Sequence, residues 1–184
     1  MDRHPDRPVH SLSGRPGRCL AGAPRRRACG LIGPRHAQAD RQLSSIDARP
    51  CSSGQPDAVE CAAIAAAGYQ LVVNLGLHDT EYALPDEAGT VRALGMDYAH
   101  IPVVFGTPKH DDLRRFFAVM DAHRDCRIWV HCAANKRASV FVGLWLHLRR
   151  GLPVDAAFAL QRDIWQPDAT WSRFIAGARV RTPG

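Results

Sequence analysis

The run from His131 to Ser139 reads His-Cys-Ala-Ala-Asn-Lys-Arg-Ala-Ser, and it holds a cysteine, two cations and a hydroxyl within one tight segment. These residue types at this spacing suit nucleophilic attack by a thiolate on a bound phosphate group. Cys132 follows the apolar run Arg127–His131, which reads as a buried strand, and the residues from Ser139 onward read as a buried helix. In a strand–loop–helix unit the backbone N–H groups of the loop and first helical turn converge on one point. That point carries the positive end of the helix dipole and favours a dianion. The same field favours a thiolate over a thiol whose reference pKa is about 8.5.

Each remaining residue of the segment has a place in this chemistry. Arg137 offers a planar fork for two phosphate oxygens, and Lys136 adds a point charge. Ser139 can donate its hydroxyl to the sulfur as it departs from phosphorus. Asn135 stands where the loop must turn, and asparagine tolerates the left-handed conformation better than other residues with a side chain. Ala133, Ala134 and Ala138 contribute backbone. The expected phosphate-binding set is therefore Ala133, Ala134, Asn135, Lys136, Arg137, Ala138 and Ser139, around the nucleophile Cys132. Against this stands the plainer possibility that Cys132 is a structural core cysteine and Arg137 a helix-start residue. That possibility leaves the His-Cys pair, the basic loop and the buried helix without a common cause.

The elements that must position the loop follow from the flanking pattern. Asp57 opens a helix over Ala58–Ala67 that Gly68 stops. Leu71–Leu75 is a continuous apolar run of the kind buried on both faces of a sheet. A loop with His78, Asp79 and Glu81 leads to a helix from about Pro85 to Leu94, closed by Gly95. Tyr98–Val104 reads as a second buried strand. Asp111 or Asp112 can cap a helix to about Ala122 that gathers Leu113, Phe116, Phe117 and Met120 on one face. After the helix from Ser139 to about Arg150, Pro153 opens another, and Trp165, Trp171 and Phe174 fall in a closing helical pair. Strands alternating with helices imply a single α/β domain with a mostly parallel central sheet of about four to five strands flanked by helices. Ligands of such sheets bind at the carboxyl ends of the strands, where Cys132 lies.

Composition sets outer limits. The chain has 184 residues and a formal charge of +6, but eight arginines against Asp2 and Asp6 place that excess within residues 1–36. Residues 37–184 carry sixteen basic and sixteen acidic side chains, so the domain itself has no basic face for nucleic acid. Residues 1–36, with five prolines and five glycines, are expected to form a disordered basic tail or to reflect a misassigned start. No secretory signal or membrane span is expected, because no apolar run approaches the roughly 20 residues a span requires. The six cysteines show no CxxC pair and no regular spacing, so neither a metal site nor a disulfide framework is expected, and the cytoplasm is the expected compartment. No cofactor is implied.

At this point the segment resembles the HCxxGxxR[ST] signature of the dual-specificity protein-tyrosine phosphatase superfamily. Ser53-Gly54-Gln55-Pro56, Val72-Val73-Asn74-Leu75, His100-Ile101-Pro102-Val103 and His131-Cys132-Ala133-Ala134-Asn135 resemble its compact bacterial branch. That branch comprises the atypical, eukaryotic-like phosphatases with beta-lactamase-hydrolase-like phosphatase domains. The resemblance spans about Leu43 to Ala176. It implies a dual-specificity phosphatase-like fold, a phosphorylated substrate and a phospho-cysteine intermediate on Cys132.

Two departures from the superfamily pattern bear on activity. The usual arginine position, six after the cysteine, is Ala138 here, and Arg137 comes one residue early. In the bacterial branch this early arginine is often shared, which implies an adapted loop. Loss of such a clamp would cost several kcal/mol at the transition state. The resemblance also implies an aspartate general acid on the loop after Tyr98–Val104, yet Val104–His110 has no carboxylate. Asp111 is the first candidate, with Asp112, His110, Asp79 and Glu81 behind it, and both aspartates serve equally well as helix caps. A phosphate-binding pseudophosphatase and a rhodanese-like sulfur-transfer protein are the competing classes.

Overall fold

The structure, a computed structural model, describes residues 50–181, so the expected basic tail lies outside the described residues. Four strands are present among them: β1 (Cys51–Ser53), β2 (Leu71–Asn74), β3 (Asp97–His100) and β4 (Ile128–His131). The helices are α1 (Ala58–Ala66), α2 (Glu87–Ala93), α3 (His110–Ala122), α4 (Lys136–Leu148), α5 (Val154–Ala157), α6 (Ala159–Ile164) and α7 (Ala169–Arg181). All strand pairs are parallel, in the order β1-β4-β2-β3. The expected α/β sheet flanked by helices is thus the fold.

Strand alternation distributes the core between the two faces. Val72 and Trp129 point to one side, where Cys61 and Ile64 of α1 and Val91 of α2 cover them. Leu71, Val73, Ile128 and Val130 point to the other, under Phe116 and Met120 of α3, Phe141 and Leu144 of α4, and Trp171 and Phe174 of α7. The central strands β2 and β4 are buried at every position, as a parallel sheet covered on both faces requires.

Local signals explain the boundaries. Asp57 caps α1 in a capping box with Glu60, and Gly68 and Gly95 take positive φ after α1 and α2. Several expectations need correction. Cys51–Ser53, which no strand was expected to include, forms β1, because pairing with β4 rather than its own propensity makes it a strand. β3 ends at His100 and is only partly buried, since it is an edge with β2 on one side. Neither Asp111 nor Asp112 caps α3: the cap position is Lys109, and both aspartates lie in the first turn. α4 begins at Lys136, so Ser139 is within the helix and Lys136 and Arg137 form its opening turn. Cys51 and Cys126 each take part in a disulfide, and Cys61 and Cys132 are free thiols. Irregular cysteine spacing therefore did not mean an absence of disulfides.

The register sets up the site. Ser53 pairs with His131, His131 with Asn74, and Asn74 with His100. Four strand ends form one row, and the four loops that leave it share one edge of the sheet.

Candidate active site

Cys132 leaves the end of β4 with 1% of its surface exposed, and its backbone N–H reaches the Ser53 carbonyl at 3.4 Å. The loop that follows is held from the β1 side. Gln55 donates its backbone N–H to the Ala133 carbonyl at 3.1 Å, and Gly54 forms an isolated antiparallel bridge with Ala134. A Cβ on Gly54 would lie 2.9 Å from the Ala133 oxygen, so this contact requires glycine. The loop then turns through Asn135 at φ 59° and ψ 0°, the left-handed conformation that its residue type suggested. Asn135 also donates through Nδ2 to the Ser52 carbonyl at 3.2 Å.

Arg137 is buried on the opposite, β2–β3 side. Its Nη1 donates to the Val103 carbonyl at 2.7 Å and the Leu75 carbonyl at 3.2 Å, while Nη2 lies 3.5 Å from the Tyr82 hydroxyl. Leu75 in turn donates its N–H to the carbonyl of His131, the residue before Cys132. The early arginine is therefore fixed against the ends of β2 and β3 beside the loop, and its Nε makes no hydrogen bond with a described residue.

The other expected groups are placed less uniformly. Ser139 is buried, but its hydroxyl donates to the Lys136 carbonyl at 3.1 Å. Lys136 is exposed, and its ammonium lies over the rings of Trp165 and Phe105, 5.5 and 5.9 Å from their centroids. Asp111 is exposed and paired with Arg114 at 2.6 Å, an i,i+3 contact on α3 that does not join it to the loop. His110 is half-buried with its ring on Phe174, 4.9 Å between centroids. Asp79 and Glu81 are exposed on the loop after β2.

A buried polar network behind the nucleophile went unread in the sequence. Glu87, in the first turn of α2, places Oε1 2.7 Å from His131 Nε2. The approach is close but lacks the alignment of a hydrogen bond. Glu87 also accepts from Asn74 Nδ2 at 2.7 Å, Tyr98 OH at 3.2 Å and Gln55 Nε2 at 3.3 Å. Burial alone would raise the Glu87 carboxyl, but His131 and these donors together hold it below the usual carboxylate range. Asn74 Oδ1 accepts from the Gly76 N–H at 2.6 Å, which tethers the loop that leaves β2. Burial and the nearby Glu87 charge push the Tyr98 phenol up.

The β2–α2 loop adds two further features. His78 stacks on His100 with 3.6 Å between ring centroids, and His100 bonds the Gly76 carbonyl at 2.8 Å. Burial lowers the His100 pKa, and the His78 ring lowers it further. Tyr82, 41% exposed, meets Arg137 as described. Among the described residues no three His, Cys, Asp or Glu side chains gather to hold a metal ion, and no helix is long and apolar enough to cross a membrane.

A parallel sheet whose central strand ends in a buried free cysteine, a left-handed loop and a buried arginine defines a cysteine-based, phosphatase-like protein. Comparison with known proteins narrows this. The chain is 31% identical to a DUF442 protein of Shewanella putrefaciens CN-32, assigned as a phosphatase, over 74% of this chain and 89% of that one, with a TM-score of 0.67. It belongs to that DUF442 family. Tk-PTP in its active form shares the fold at 21% identity, a TM-score of 0.62, and coverage of 74% of this chain and 95% of that one. TpbA of Pseudomonas aeruginosa, in a variant bound to phosphotyrosine, shares it at 14% identity and a TM-score of 0.55, covering 80% and 98% of the two chains. No protein-family model matches the chain, and no curated protein does.

Proposed function

We propose that this protein hydrolyses phosphate monoesters, of a phosphoprotein or a phosphorylated metabolite, through a phospho-cysteine intermediate on Cys132. The observation that carries this reading is the setting of Arg137. Its Nη1 is anchored on the Val103 and Leu75 carbonyls, which leaves Nε and the outer Nη2 edge to grip the equatorial oxygens of a phosphoryl group. Anchoring of this kind pre-pays the ordering of the clamp, which is how fixed donors stabilise a transition state. The amides of Ala133, Ala134, Asn135, Lys136, Arg137, Ala138 and Ser139 supply the rest of the cradle. Cys132 attacks phosphorus, the ester oxygen leaves, and water then cleaves the P–S bond. Asp111 can take part as the acid only by exchanging its Arg114 partner for the loop.

The test is turnover of an aryl phosphate by the full chain beside Cys132→Ser and Arg137→Lys. The expected result is no turnover with serine. With lysine we expect a loss of about 100-fold or more, because the point charge cannot form a fork. Equal rates for wild type and Cys132→Ser would overturn the reading.

A second reading, a phosphate-binding pseudophosphatase, is favoured by one specific observation: the segment after β3 holds no carboxylate, and Asp111 is engaged on α3. It predicts that phosphate binds at Cys132 and Arg137 without turnover of any ester.

A further inference from the structure

We propose that Tyr82 is the proton donor to the leaving oxygen, a role that rests on the phosphatase reading above. Its hydroxyl lies 3.5 Å from Arg137 Nη2, the outer edge of the group that would hold the phosphoryl oxygens. Cys132 is 1% exposed and Tyr82 is 41% exposed, so the phenol is open to solvent where the thiol is not. In an in-line displacement the thiolate attacks from the buried side and the ester oxygen departs toward solvent. A hydroxyl that touches the outer edge of the arginine is on the departing side.

The two histidines at this sheet edge are committed elsewhere. His100 is turned onto the Gly76 carbonyl and lies face to face with His78. His78 Nε2 meets the Tyr98 hydroxyl at 3.0 Å. The segment after β3, where an acid would be sought, is fastened down. Its Val103 carbonyl takes Arg137, its Phe105 carbonyl takes Trp171 Nε1 at 3.0 Å, and the Phe105 ring lies under Lys136. A carboxylate from Asp111 would have to leave Arg114 and pass this segment.

The environment of Tyr82 suits the task. Burial alone would raise its phenol, yet hydrogen bonds with Arg137 and Thr80 and the Arg137 charge hold it below the ordinary tyrosine value. That brings the acid closer to working pH, where proton transfer is most effective. The S–P bond forms as the P–O bond breaks, and the phenolic proton passes to the leaving oxygen, giving a neutral alcohol and a tyrosinate beside Arg137. Water then attacks the phospho-cysteine, the tyrosinate accepts its proton, and the P–S bond breaks to return thiolate, inorganic phosphate and the neutral phenol.

The experiment compares the full-length wild type with Tyr82→Phe on two esters, 4-nitrophenyl phosphate and phenyl phosphate. Nitrophenolate leaves without help, whereas phenolate needs a proton. Tyr82→Phe is expected to lose about 100-fold in kcat/KM, which reports phosphoryl transfer to Cys132 and not the later hydrolysis, on phenyl phosphate and to change little in kcat/KM on the nitrophenyl ester. Equal losses on both esters, or no loss on either, would overturn the assignment. So would the same leaving-group-selective loss in Asp111→Asn instead of Tyr82→Phe. Absence of any turnover that Cys132→Ser removes would overturn the underlying phosphatase reading. Circular dichroism of Tyr82→Phe, a change at an exposed loop position, confirms that the fold is retained.

Discussion

Glu87 Oε1 lies 2.7 Å from His131 Nε2, with 1% of one side chain and 0% of the other exposed. A carboxylate in such a place must be satisfied from several sides, and Asn74, Tyr98 and Gln55 complete the set. The consequence reaches the nucleophile through the backbone. His131 is the last residue of β4, and the chain passes directly from it to Cys132. Glu87 therefore ties three loop origins together: Gln55 after β1, Asn74 at the end of β2 and His131 before the phosphate loop.

Removing this carboxylate is expected to be costly. Glu87→Ala leaves buried donors without an acceptor, and each buried group so stranded costs about 1–3 kcal/mol. Urea unfolding of the variant beside wild type measures the loss. The pH dependence has a definite sign. The folded carboxyl titrates below its ordinary value of 4.5, so the stability it contributes is present above pH 4.5 and is lost as pH falls through the lower folded value. Glu87→Gln, which cannot titrate, is expected to flatten this acid limb.

Gly54 makes a separate prediction about the loop itself. The nearest atom to a Cβ there is the backbone oxygen of Ala133, at 2.9 Å, and backbone cannot swing aside as a side chain can. Gly54→Ala is expected to push Ala133 and Ala134 out of place while the hydrophobic core stays intact. Misplacing a catalytic group by about 1 Å can cost about 100-fold in rate. The expected outcome is a fall of that order in aryl phosphate turnover, with a thermal midpoint close to wild type. A variant of wild-type activity would show that the bridge to Ala134 does not position the loop.

Asn135 can be tested by a pair of substitutions. At φ 59° an alanine carries the steric penalty of the left-handed region, and it also loses the hydrogen bond to the Ser52 carbonyl. Together these place Asn135→Ala about 1–2 kcal/mol below wild type in stability. Asn135→Gly accepts the backbone conformation and forfeits only the hydrogen bond, so it should be the more stable of the two. Denaturant midpoints for the three proteins give the order directly.

These residues also mark how far the sequence could be read. The strand–cysteine–helix unit was legible because it is local. An apolar run, a turn residue suited to positive φ and an apolar helix occupy consecutive positions, and Asn135 took the conformation its type suggested. The parallel sheet was legible from the same alternation. Glu87 was not, because a glutamate in the first turn of a helix is a common surface feature. Only the register of Asn74 with His131 brings it under the sheet edge. Tyr82 was hidden likewise, in a polar loop 55 residues from Arg137, and no local pattern links the two. Asp111 illustrates the converse. It has the right type in the expected stretch of sequence, but α3 begins at His110 and its first turn gives the carboxylate a nearer partner in Arg114.

The last prediction concerns Cys61, the free thiol that takes no part in the proposed chemistry. It is fully buried on α1, and burial, followed by the Glu87, Asp57 and Glu60 charges, raises its pKa from 9.0 to about 11. The neutral thiol is thus the form the fold accommodates. Its stabilising contribution is complete below pH 9.0 and is lost as pH rises toward about 11. The full effect is on the order of 2–3 kcal/mol, from a shift of about two units. Tyr98, also raised, adds a loss of the same sign above its ordinary value of 10.0. Wild type should therefore lose stability steeply between pH 9 and 11, and Cys61→Ala, although less stable at neutral pH because of the cavity it leaves, should show a shallower slope there. Iodoacetamide provides an independent measure. At pH 8 Cys61 should be modified only at the rate at which the protein unfolds, and peptide mass spectrometry with and without urea checks that directly. Rapid labelling of Cys61 in the native protein would show that α1 opens locally and that its thiol is not held by the core.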